Sequence, residues 1–106
     1  MTEVEQEFRV RVLLSVQRAL LGEVTTKMRS IEVILATDTI HLRVWHEGAA
    51  TTEEKDDFDA IVVTDIAADL WTGIEPPKDP TFEFIRCDPP AKPKIEGVLV
   101  FARQEQ

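Results

Sequence analysis

The stretch "MRSIEVILATDTIHLRVWHEG", residues 28–48, decides how this chain is read. Ile31, Val33 and Leu35 recur every second residue in its first half, and Ile40, Leu42 and Val44 do the same in its second, on either side of Thr37, Asp38 and Thr39. A period of two sends successive side chains to opposite faces of an extended strand, so the stretch predicts a β-hairpin. Its turn lacks the glycine-containing dipeptides that set register, and the register stays open. In the second strand Ile40, Leu42 and Val44 suit a core, whereas His41, Arg43 and Trp45 form a row of contact chemistry, because Trp and Arg are over-represented among residues that dominate binding energy. Ile34, Ile85, Leu99 and Phe101 are the neighbours expected on that second face. In a plainer alternative, Trp45 closes a small second core and Arg43 stacks over it.

Upstream the period is helical. Thr2 and Glu5 form a T-x-x-E capping box, and Phe8, Val12, Val16, Ala19 and Leu20 then follow a three-to-four spacing, with Leu13 at the edge and Gly22 as a stop. A second stripe of Val10, Leu14 and Leu21 lies on another side, so this helix is expected to be deeply buried or to meet a partner. Downstream, Thr51 and Glu54 form another capping box. A second helix is expected through Trp71, ending before Gly73, with Val62, Val63, Ile66 and Leu70 at the centre of its apolar face and Phe58 at the border.

All six prolines fall after this helix, at positions 76, 77, 80, 89, 90 and 93. Proline lacks the ladder donor, so the clusters read as connections and the apolar runs 81–87 and 96–103 as strands. The order helix, strand, strand, helix, strand, strand predicts an α+β fold: a single αββαββ domain over residues 1–106, with a mainly antiparallel four-stranded sheet and two helices packed on one face. The other face is expected to be open, and short connections favour two hairpins.

The length of 106 residues suits one core. Cys87 is the lone cysteine, which excludes an internal disulfide and points to a reducing compartment. There is no basic-then-apolar leader pattern and no apolar run near the roughly 20 residues that cross a bilayer, so a cytoplasmic location is expected. A net charge of -8 argues against nucleic acid or anionic membrane as partners, because carboxylates repel phosphates.

That charge is uneven. Residues 47–88 hold twelve acids against Lys55, Lys78 and Arg86, a net of -9, and the rest of the chain carries +1. Glu53, Glu54, Asp56 and Asp57 fall in the first two turns of the second helix, where the dipole favours anions; a solvated helix end accounts for them. Asp65 and Asp69 are four residues apart, near the end where the dipole disfavours anions. They call for a neutralising arginine, with Arg9, Arg11 or Arg18 as candidates, or for a partner's basic side chain, or, less favoured, for a metal or a coupled acid/base pair.

Catalytic patterns have no positive support. His41 and His46 are odd and even in one strand and point to opposite faces, a thiol and base pair of Cys87 with His41 would need the two side chains to meet, which strand patterns do not show, and no phosphate-cradling loop, nucleophile elbow or metal-binding spacing occurs. No catalytic residue, metal or cofactor is expected.

The segments "RALLGEVTTKMRSIEV" (18–33) and "IHLRVWHEGAATTEEKDDFDAIVVTDIAADL" (40–70) resemble a family of small bacterial proteins. That family shows an RALLG-x-V-T-P-x-L-R stretch, a strand ending in an aromatic and an acidic helix, some members being similar to immunity proteins found beside toxins. Thr26 stands where the family tends to have proline and Leu70 where it tends to have an aromatic. The resemblance implies an α+β fold and no catalytic residues. The preferred reading is a non-enzymatic binding protein, in its sharpest form an immunity-type inhibitor, in which Asp56, Asp57, Asp65 and Asp69 face a basic toxin or other protein, and Arg43 and Trp45 anchor a second patch. The alternatives are a small hydrolase or metal enzyme using Asp65, Asp69 and His41, and a self-associating structural protein, a homodimer in the simplest case.

Overall fold

The computed structural model describes residues 3–36, 39–71 and 80–104. The Thr2 end of the first capping box, the hairpin turn and the Gly73 stop lie outside them.

Helix α1 spans Glu3–Ala19 and buries Val12, Val16 and Ala19, with Leu20 buried just past its end and Phe8 and Leu13 packed at the margin. The chain leaves it through Gly22, whose φ of 79° is a left-handed conformation that costs glycine nothing. Strands β1 (Met28–Ala36) and β2 (Thr39–His46) pair antiparallel, with Ile31 opposite Val44 and Val33 opposite Leu42. Both alternating rows therefore meet on one face, where all but the half-buried Leu35 are buried.

The second helix is built in three pieces: α2 (Thr52–Asp57), a π-helical stretch (Phe58–Val63) and α3 (Thr64–Trp71). Thr51 opens it with the expected box, accepting from the Glu54 N–H at 3.0 Å while the Glu54 carboxylate accepts from the Thr51 N–H at 3.1 Å. The wider π turns shift the phase of the apolar face. Phe58 was expected at the border but is fully inside with Val62, Val63, Ile66 and Leu70, where its ring packs against Phe82 and Phe84.

The sheet departs from expectation in how its last two strands attach. Its order is β3-β2-β1-β4, where β3 is Thr81–Arg86 and β4 is Val98–Ala102. It is mixed: β1 pairs antiparallel with both β2 and β4, so two of its three pairings are antiparallel, but β3 runs parallel to β2. The second helix reverses the chain after β2, so the next strand re-enters in β2's own direction, as in any strand–helix–strand unit. Consequently β3 and β4 form no hairpin and take opposite edges.

The second sheet face is also less open than expected. To cross from one edge to the other, the connection after β3 lies over that face. Buried Arg29 donates to the carbonyls of Cys87 (2.9 Å) and Ala91 (2.6 Å), and the Glu96 and Gly97 N–H groups donate to Glu32 at 3.0 and 2.8 Å. Glu32 stands opposite Arg43 and has no exposed surface. Ile34, Ile85 and Leu99 share this face by register. Phe101 does not: β4 carries one extra residue between Leu99 and Phe101, and this bulge sets Phe101 opposite Ile31 on the helix side.

Candidate partner-binding surface

Along the second helix the polar side is continuous. Glu53, Asp56, Asp57 and Asp59 are exposed, and Glu54 is half-buried at the turn where the helix meets the sheet. Glu54 has a structural task. Its carboxylate receives His46 Nε2 at 3.1 Å while His46 Nδ1 faces the Gly48 carbonyl at 3.0 Å. Both ring nitrogens of fully buried His46 thus face oxygens, one from the main chain and one from Glu54. The Thr51 main-chain N–H holds the Glu54 carboxyl below its ordinary range; burial opposes this, but the Thr51 and His46 side chains add to it. Asp88 is lowered likewise, by the Gly48 N–H first and then Arg86.

Asp65 and Asp69 are exposed on α3 beside α1. Of the three candidate arginines, Arg18 reaches Asp69, with Nη2 3.5 Å from Asp69 Oδ2. Both partners are largely solvated, so the pair is worth at most about 1 kcal/mol. Ser15, Arg18, Ala19, Asp65 and Asp69 line an open groove of about 200 Å³. A smaller one of about 120 Å³ lies between Glu23, Thr25, Met28 and the helix residues Glu54, Asp57, Phe58 and Val62.

The row His41, Arg43, Trp45 lies on the opposite side of the sheet, and each member is tied down. His41 Nδ1 is 2.7 Å from Thr81 Oγ1 and its Nε2 2.5 Å from Glu83 Oε2. Trp45 donates to Glu32 at 2.6 Å. Arg43 lies between Glu83 and Glu96, 3.8 Å from each, and its buried Nε has no hydrogen-bond partner. The Trp45 side chain keeps partial exposure.

These positions separate the residues of the enzymatic alternative. His41 is on one side of the sheet, and Asp65 and Asp69 belong to the helix layer on the other; the groove at the two aspartates includes no histidine. Cys87 is bonded through its N–H to the His46 carbonyl at the far end of β2 from His41, and its Sγ accepts from Arg29 at 3.5 Å. Among the described residues no three His, Cys, Asp or Glu side chains are placed to hold a metal ion, and no helix is long and apolar enough to cross a membrane.

Sequence reasoning missed Glu32 and Arg29, the two buried charges that hold the β3–β4 connection. The one available signal was a charge on each of two positions in an otherwise apolar strand. It does not reveal the remote backbone groups, 62 and 64 residues away, that these side chains bind.

Fold and surface together describe a small α+β protein with a mixed four-stranded sheet, helices on one face and carboxylates arrayed along the second helix. The chain belongs to the MafI2 immunity protein family, whose model matches residues 9–105. Comparison with curated proteins finds no match.

Proposed function

We propose that the protein is a non-enzymatic immunity-type inhibitor that docks the acidic side of its second helix on a basic surface of a toxin. The observation that carries this reading is the segregation of charge: Glu53, Asp56, Asp57, Asp59, Asp65 and Asp69 are all exposed along one helix. A negative field concentrated on one side steers a basic partner into register and raises its association rate, and salt screens it. Membership of an immunity protein family supplies the partner class. Arg43 and Trp45 are proposed as a second contact, flanked by Leu99, and a cytoplasmic site of action goes with this reading.

The test begins with the tagged full chain as bait in a lysate of its own host, followed by mass-spectrometric identification of the captured protein. Association kinetics of that toxin are then measured with wild type and with Asp56→Lys/Asp57→Lys at several ionic strengths. The expected result is an association rate lowered by roughly tenfold or more at low salt, a flatter salt dependence and an unchanged melting temperature. An association rate indifferent to the charge reversal would remove this surface from consideration.

A further inference from the structure

Ser15 is an unusual residue for the inner side of α1. It is 2% exposed, and its hydroxyl, closed off from solvent, has no hydrogen-bond partner among the described residues. A serine inside a helix commonly donates to the main-chain carbonyl four residues back, and a buried polar group left without any partner is rare enough to call for a cause. Its surroundings supply one. Helix α1 packs against α3, and where they meet Ser15 lines the groove of about 200 Å³ together with Arg18, Ala19, Asp65 and Asp69. Ser15 and Ala19 are one turn apart on α1, and Asp65 and Asp69 one turn apart on α3. Two small buried residues thus line the groove from one helix and two exposed carboxylates from the other.

Charge and donor count select the occupant. Arg18, at 3.5 Å from Asp69, balances one of the two acids, whereas Asp65 has no ion pair among the described residues. The groove therefore keeps negative charge in excess, and its unmet hydroxyl adds a neutral acceptor. A carboxylate accepts from several donors at once, so Asp69 can serve Arg18 and a second cation. A primary ammonium carries three donors and no acceptor, one each for Ser15, Asp65 and Asp69, on a thin flexible stem. The planar fork of an arginine matches a single carboxylate and makes no use of the hydroxyl. Arg18 is a weak competitor, since its side chain is 67% exposed and a solvated pair of this kind shifts at little cost.

We infer that the groove between α1 and α3 is a socket for a lysine side chain of the partner protein, whose ammonium donates to Asp65, to Asp69 alongside Arg18, and to Ser15 Oγ once that side chain rotates about χ1. The inference rests on the toxin-binding reading for its ligand and adds the place where one basic residue seats. The exposed acids steer encounter; the socket holds the complex after it forms.

The socket is tested first without a toxin, by following amide chemical shifts of the isotope-labelled full chain during titration with n-butylammonium, and with tetramethylammonium, which has the charge but no donors, at equal ionic strength. Saturating shifts at Ser15, Ala19, Asp65 and Asp69 are expected with n-butylammonium alone, with a dissociation constant on the order of millimolar. Ser15→Ala should weaken this binding about tenfold while the melting temperature stays the same or rises, because the variant removes an unmet hydroxyl and favours helix; Asp65→Asn should weaken it similarly. With the captured toxin, Ser15→Ala should raise the dissociation rate and leave the association rate unchanged, the reverse of Asp56→Lys/Asp57→Lys. Equal responses to both ammonium ions, the same saturating shifts with magnesium ion, or n-butylammonium affinity and toxin dissociation unaltered by Ser15→Ala would overturn the inference. The steering role of Asp56 and Asp57, read from association rates, would stand or fall separately.

Discussion

Glu32 and Trp45 are joined across the hairpin: the indole N–H donates to Glu32 Oε2 at 2.6 Å, while Glu32 Oε1 receives the N–H groups of Glu96 and Gly97. One fully buried carboxylate thereby connects β1, β2 and the chain that leads into β4. Burial pushes the Glu32 carboxyl up, but Trp45, the two backbone donors and the Arg43 charge outweigh it and hold it below its ordinary value.

Glu32→Leu therefore leaves an indole and two backbone donors without their acceptor. Desolvation of unmet donors costs more than a surface bond returns, and a loss of about 3 kcal/mol is expected in urea denaturation. Amide exchange should accelerate at Glu96 and Gly97, with the α1 amides less affected.

The same carboxylate gives stability a pH dependence of definite sign. A folded-state pKa below the ordinary glutamate value of 4.5 means that the unfolded chain binds the proton more readily. The Glu32 contribution is thus complete above that value and declines as pH falls through the folded pKa. Wild type and Glu32→Gln, compared by denaturation, should differ most near neutrality and converge below about pH 4.5. A gap that widens in acid would contradict the assignment.

Gly97 passes so close to β1 that a Cβ there would meet the Val33 carbonyl carbon at 2.9 Å, and the oxygen closer still. Backbone atoms of a central strand cannot yield as a side-chain end can. Gly97→Ala should cost about 2 kcal/mol or more and weaken the β1–β4 pairing, read as faster exchange of the β4 amides.

Thr51→Val removes the hydroxyl that receives the Glu54 N–H and keeps the side-chain shape. A loss of about 1 kcal/mol is expected in thermal or urea unfolding. Because Glu54 also holds His46, His46→Phe should cost roughly 2 kcal/mol more than the cap alone, and the paired substitutions should be non-additive in a double-mutant cycle.

Much of the fold follows from local rules that this sequence obeys. The period-two rows of β1 and β2, the three-to-four spacing of Val12, Val16, Ala19 and Leu20, and the Thr51–Glu54 box each state their own conformation, because alternation and helical repeat are properties of neighbouring residues. So does the wet, acidic side of the second helix, whose carboxylates have a helix end and solvent to satisfy them. What tertiary structure alone decided is non-local. β3 lies parallel to β2 because the intervening helix returns the chain, and the two strands read as a hairpin occupy opposite edges. The π turns that draw Phe58 inside, and the capture of a distant connection by Arg29 and Glu32, depend on which remote backbone groups arrive beside them. Hydrogen bonds across more than sixty residues leave no periodic mark in a sequence, since their geometry is set by packing and not by spacing.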